Sequence, residues 1–149
     1  MQLATKYFGE MDITSVNVIH FPTGILGFPQ ETEFVLLDLP DNPLFQILQS
    51  IKRKEIAFIV VNPYQLYEDY TFKLDDGIVK ALQLSDETEI VVLSIVTLKQ
   101  PFNTSTINLQ APIIINANKQ QGKQFVINSD KYSTRVSITA LNSPSGKGE

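Results

Sequence analysis

Four scarcities narrow the field before any motif is read. The 149-residue chain has no cysteine, which removes disulfide scaffolds, thiolate metal sites and cysteine nucleophiles together. It has no tryptophan and a single histidine, His20. One imidazole without a cysteine or a clear acid partner makes a poor triad and a poor metal site, so His20 reads as structural or surface. No apolar run approaches the ~20 residues needed to span a bilayer as a helix. The N-terminus also lacks the basic start, apolar core and small-residue cleavage site of a signal peptide. A cytoplasmic location is therefore expected, which leaves the Asn103-Thr104-Ser105 sequon without meaning. Positive charge is scarce too: 12 Lys and Arg against 16 Asp and Glu leave a net charge of −4. That is the wrong sign for a general nucleic-acid binder, whose affinity comes largely from phosphate neutralisation.

What is abundant is strand-forming sequence. Runs rich in β-branched and aromatic residues at 2–8, 16–21, 33–39, 56–61, 90–98, 106–116 and 123–128 predict strands, with proline and glycine between them or at their edges. Pro112 removes a ladder donor inside 106–116, so that run is an edge strand or two strands joined at a bend. Residues 113–128 read as a hairpin in which Gly122 supplies a positive φ. Two readings stand over 43–51. Leu44, Ile47, Leu48 and Ile51 have helical spacing behind Asp41-Asn42-Pro43. The short length favours a strand turning through Lys52-Arg53-Lys54-Glu55 into the next run. Residues 75–82 are the better helix, with acids at the start and Ile78, Ala81 and Leu82 on one face. Together these predict a mostly-β fold: a small closed or nearly closed antiparallel β-barrel with one short helix. It would form a single domain over 1–141, followed by a polar flexible tail at 142–149.

Charge is segregated along the chain. Residues 1–98 hold 14 acids and 6 bases, whereas 99–149 hold 2 acids and 6 bases. The acids gather at Glu68-Asp69, Asp75-Asp76 and Asp86-Glu87-Glu89, which suits a negative face turned toward a basic partner. Asp75-Asp76-Gly77 lacks the alternating oxygen ligands and distal Glu of a calcium loop, so no metal is expected there. No residue set marks a catalytic centre, a cofactor site or a small-molecule substrate.

Gly24-Ile25-Leu26-Gly27 encloses apolar rather than basic residues, unlike an RNA-backbone clamp. The proline-bounded loop 22–29 carries Ile25, Leu26 and Phe28, either as a plug for one end of the barrel or as an apolar contact patch. Tyr64, Tyr67, Tyr70 and Phe72 lie beside Glu68 and Asp69. Polar-tipped rings next to acids suit a protein partner better than RNA stacking, although core packing accounts for some of them. The residues alone give an acidic cytoplasmic β domain that binds a protein. Two other classes stand beside it. One is an OB-like single-stranded nucleic-acid-binding domain using Phe125, Tyr132 and Arg135 in the positive last third. The other is a hydrolase using scattered acids.

Several segments in order carry a resemblance. They are Phe21-Pro22-Thr23-Gly24-Ile25-Leu26-Gly27-Phe28, Leu44-Phe45-Gln46-Ile47-Leu48-Gln49-Ser50, Ala57-Phe58-Ile59-Val60-Val61-Asn62-Pro63, Asp69-Tyr70, Asn108-Leu109-Gln110-Ala111-Pro112-Ile113-Ile114-Ile115-Asn116, Gly122-x-Gln124 and Tyr132-x-x-Arg135. The string resembles the flagellar assembly factor FliW family from about residue 8 to residue 135. The resemblance implies a non-enzymatic, cofactor-free cytoplasmic β-barrel-like protein that binds newly made flagellin and, alternatively, the RNA-binding translational repressor CsrA. While flagellin is scarce, a FliW-like protein holds CsrA off the flagellin messenger RNA without occupying the RNA site itself. Accumulating flagellin captures it and frees CsrA. No direct contact with nucleic acid, membrane or small-molecule substrate is implied. Ile25, Leu26, Phe28, Phe45, Leu48, Gln49, Tyr67 and Tyr70 are the expected partner-binding residues. Glu68, Asp69, Asp75, Asp76, Asp86, Glu87 and Glu89 are the expected source of electrostatic RNA exclusion.

Overall fold

The computed structural model describes residues 2–13, 18–39 and 41–138. Strands β1 (Gln2–Thr5) and β2 (Gly9–Asp12) pair as an isolated hairpin. A single sheet takes up β3 (Val18–His20), β4 (Glu33–Asp38), β5 (Phe45–Ser50), β6 (Ala57–Val61), β7 (Ile90–Thr97), β8 (Thr106–Ile107), β9 (Ile113–Asn116), β10 (Gln121–Gln124) and β11 (Val136–Ser137). Strands β3 to β7 run antiparallel in chain order, β7 pairs with β9, and β9 with β10. Strand β10 then meets β3 at Gln121 and His20, closing a seven-stranded barrel. The expected barrel is present, and its closing seam is parallel. Strands β8 and β11 branch from the C-terminal half of β7.

Over β4, β5, β6 and β9 both faces of the barrel wall are largely buried, which explains why these strands read as continuous apolar runs. Alternation sends Ile19, Phe21, Phe34, Leu48, Val60 and Leu93 into the lumen, where the Phe21 and Phe34 rings meet edge-on at 5.5 Å. The alternate positions Val35, Leu37, Ile47, Ile59 and Val61 form a second, outer core beneath the β1–β2 hairpin, Tyr70, Leu109 and Tyr132. Each fully buried aliphatic or aromatic side chain contributes roughly 1.5–3 kcal/mol.

Several local expectations change. The 2–8 run breaks into a hairpin because the Thr5 hydroxyl donates to the Gly9 carbonyl at 2.7 Å and accepts from the Phe8 amide at 2.9 Å. Residues 45–50 are a strand, and the helical spacing is unused: Phe45 and Ile47 face the outer core while Leu48 faces the lumen. Run 106–116 is two strands, and Asn108 bends the chain between them by accepting from the amides of Gln110 and Ala111. The hairpin over 113–128 closes earlier than expected. Its positive φ belongs to Gln120, at 54°, and Gly122 lies within β10. A Cβ there would fall 2.6 Å from the Phe21 ring, so the glycine gives room to an aromatic rather than freedom to a turn.

Helix α2 (Asp76–Ala81) forms as expected. Asp75 caps it by accepting from the Ile78 amide at 2.9 Å, and Ile78 and Leu82 pack on Ile114. A further helical turn, α1 (Pro63–Leu66), was not anticipated from the sequence. Asn62 caps it, and Pro63 occupies its first position, where a missing amide costs nothing. The expected strand start at residue 16, the domain boundary at 141 and the tail at 142–149 lie outside the described residues.

Candidate protein-docking surfaces

Phe34 pairs with Ser50, so the β3–β4 loop and the β5–β6 turn leave the barrel at the same end. That end is capped. Gly24, at φ 71°, donates to the Phe21 carbonyl at 2.8 Å. A Cβ on it would sit 2.5 Å from the Phe28 carbonyl oxygen. The turn then locks through reciprocal backbone bonds between Ile25 and Phe28. Ile25 drops into the lumen core, whereas Leu26 is 59% exposed and Phe28 is 39% exposed. Leu26 is fixed by its amide donating to Gln124 Oε1 at 2.9 Å, and Phe28 by edge contact with Phe58 at 5.4 Å. Both sequence readings of this loop thus describe part of it: one side chain plugs the barrel and two are presented outward on an ordered turn.

Four of the expected contact residues are placed elsewhere. Phe45, Leu48, Gln49 and Tyr70 are buried, as Ile25 is, so their side chains are committed to the fold. Leu48 lies in the lumen. Phe45 belongs to the outer core, where Phe102 meets it edge-on at 6.0 Å. The Gln49 amide accepts from the Lys6 backbone at 2.9 Å and donates to the carbonyls of Ser50 and Lys54, each at 3.0 Å. It joins the β1–β2 turn to the β5–β6 turn. The Tyr70 hydroxyl donates to the Leu109 carbonyl at 2.6 Å. Burial pushes its pKa well above the usual tyrosine range, with Tyr64 and Tyr132 adding to the shift. Tyr64 is raised by burial too, and then by Tyr132. Tyr67 is half-buried, edge-on to Tyr132 at 6.3 Å.

The seven expected repelling acids are all exposed, and among the described residues none is ion-paired. They do not share one face. Glu68 and Asp69 follow α1, and Asp75 and Asp76 begin α2 on the barrel's flank. Asp75 shares a groove there with Lys73 and Lys131. Asp86, Glu87 and Glu89 lie at the uncapped end, where the Glu89 amide donates to Asn118 Oδ1 at 2.7 Å. Asp38 and Asp41 are at that end as well, on the β4–β5 connection. These acids are thus spread over the flank and the uncapped end, where Lys119 of the β9–β10 turn stands among them.

The capped end holds cations that sequence reading passed over. Lys52, Arg53 and Lys54 form the β5–β6 turn, and Gln49 brings Lys6 beside them. The basic triplet was visible as a motif; its union with Lys6 depends on a buried amide that no local pattern announces. Glu55, beside Arg53 at 3.1 Å, has its pKa lowered by its own backbone and then by Arg53.

His20 points outward as alternation requires, 4.0 Å from Glu33. Among the described residues no cluster could hold a metal ion, and no helix is long and apolar enough to cross a membrane. Phe125, Tyr132 and Arg135 make no stacking platform. Tyr132 is buried with its hydroxyl accepting from the Thr71 amide at 2.9 Å, and Phe125 packs on Phe72 at 6.0 Å.

Comparison with known proteins agrees with this architecture. The family model described as FliW protein matches residues 2–138. The flagellar assembly factor FliW of Oceanobacillus iheyensis is 47% identical over 138 residues, covering 93% of this chain and 94% of its own. That of Shouchella clausii is 40% identical over the same shares. A crystal structure of the flagellar assembly factor FliW superposes with a TM-score of 0.87 at 36% identity, covering 93% of this chain and 96% of that one. A barrel of this topology and sequence kinship over nearly its whole length place the chain in the FliW family of flagellar assembly factors.

Proposed function

We propose that this protein works in the cytoplasm by being occupied rather than by catalysis. It binds flagellin and, alternatively, CsrA, and keeps CsrA off flagellin messenger RNA without covering the RNA site. Membership of the FliW family is the observation that carries this reading. The surface chemistry supports it. Leu26 and Phe28, with Tyr67 beyond them, are what is left of the expected contact residues once the buried ones are removed. Ile25 acts beneath them as the peg that holds the turn.

The exclusion of RNA follows from charge. A basic RNA-binding protein owes much of its affinity to phosphate attraction. Glu68, Asp69, Asp75, Asp76, Asp86, Glu87 and Glu89 extend into solvent without ion partners among the described residues. Brought beside a bound CsrA, they repel phosphates lying within a Debye length of ~8–10 Å.

Capture from a lysate of a flagellated bacterium, with bound proteins identified by mass, should recover flagellin and a small basic RNA-binding dimer; recovery of neither overturns the reading. The mechanism has its own test. Reversing Glu68, Asp69, Asp75, Asp76, Asp86, Glu87 and Glu89 together to Lys should leave CsrA docking measurable by calorimetry and weaken RNA exclusion at low salt. If the reversed protein still excludes RNA completely at low salt, repulsion by these acids is the wrong account.

A further inference from the structure

An apolar turn alone does not choose a partner, but the capped end offers more. Beside Leu26 and Phe28, the cations Lys6, Lys52, Arg53 and Lys54 converge from two turns that the Gln49 amide ties together. The two halves of this surface are coupled. Glu31 leaves the apolar turn with its amide on the Phe28 carbonyl, its carboxylate accepts from the Ser50 hydroxyl, and that hydroxyl accepts from the Arg53 amide at 3.1 Å. Because Glu31 is only 6% exposed, its charge is turned inward, and Glu33 and Glu55 are the carboxylates left beside the four bases. Local neutralisation is partial. Arg53 is matched by Glu55, and Lys52 stands 4.0 Å from a Glu33 that also serves His20. Lys6 lies over the exposed Tyr7 ring at 5.4 Å, and Lys54 has no carboxylate partner among the described residues. On a chain of net charge −4, this is a positive end facing away from the acids of the other rim.

We infer that the capped end is a docking site for an acidic segment of a protein partner. An apolar side chain of that segment seats against Leu26 and Phe28, and its carboxylates are set against Lys6, Lys52 and Lys54. The inference rests on the capped end being the docking surface proposed above, and it adds the chemistry that the partner must bring. Nucleic acid would satisfy the cations but not the exposed apolar pair, and it would meet the acids of the flank. A protein segment satisfies both. The cations orient the approach and the apolar pair holds the complex, the usual division between steering and anchoring.

Purified flagellin is the probe, titrated at about 50 mM and about 500 mM salt, with a generic single-stranded oligonucleotide as the second arm. The double variant Lys52→Glu with Lys54→Glu changes exposed turn residues and should melt like the parent. It should lose about tenfold in flagellin affinity at low salt and show a flatter salt dependence. Lys6→Glu should add to the loss from the other turn. Leu26→Ala and Phe28→Ala should weaken binding at both salt concentrations. If the charge variants bind as the parent does while the apolar variants fail, the acidic-segment inference falls and the docking surface stands. If neither set matters, both fall. If the oligonucleotide binds and the lysine variants abolish its binding, the site is a phosphate site and the inference is overturned.

Discussion

At one end of the barrel Ile25 enters the lumen, and Gly24, Gln124 and Phe58 hold its neighbours in place. At the other end Ile19, Leu36, Val91 and Ile115, with Ala117 and Gln120, line an open recess of about 300 Å³ among the described residues. The same wall supplies apolar side chains to both ends, so the difference comes from the connections. The β3–β4 loop is long enough to fold back into the lumen. The β9–β10 turn passes only Ala117 to Gln120 across its rim. The end with a plug has apolar side chains to spare for presentation, on a turn that cannot yield. The end without one leaves its recess open, exposes Ile90, and carries Asp86, Glu87 and Glu89 with Lys119 on its rim.

The largest expected effect comes from attacking the plug's geometry. Gly24→Ala places a methyl group against the Phe28 carbonyl at a positive φ and should cost about 3 kcal/mol of stability, read as a lowered urea midpoint. A midpoint unchanged within error would mean that the turn rearranges freely and that the contrast between the ends is overstated. A paired enlargement tests the contrast directly. Ile25→Phe overfills the capped end and should cost about 1–3 kcal/mol, whereas Leu36→Phe grows toward the recess and should cost below ~1 kcal/mol. Equal losses would show the two ends to be equally tight.

The smallest effect separates the ends from the flank between them. Tyr70 is held neutral by burial, so its folded pKa lies above the unfolded value of 10.0. Stability from this group is full below pH ~10 and is lost as pH rises toward the folded pKa, because only the unfolded chain gives up the proton. Tyr70→Phe should cost about 1 kcal/mol at neutral pH and flatten the alkaline loss seen in unfolding curves above pH ~10. An unchanged alkaline slope would show the hydroxyl ionising in place.

The barrel was legible because period-two alternation and turn chemistry are local. The strand over 45–50, the break of the 106–116 run into two strands and the acidic start of α2 each follow from a few neighbouring residues. What escaped is long-range. Nothing near Gly122 in the sequence shows that Phe21 will press against it. Alternation places Gln49 on the wall's outer face, but it does not show that two turns will cover that face and bury the amide. Tyr70 offered an interface-like ring beside acids, and its burial depends on Leu109 and Tyr132 arriving from far along the chain. Of the expected contact set, Leu26 and Phe28 are exposed because a proline-bounded loop with two glycines fixes its own shape.

The ring is shut by its earliest and one of its latest strands, β3 and β10, at the single pair His20 and Gln121. Contacts so distant in sequence form late and slowly. A chain still on the ribosome therefore has no sealed lumen until most of it has been made, and a product cut short before β10 would carry the rows of Ile, Val and Phe that line the lumen unshielded to the first chaperone or protease it meets.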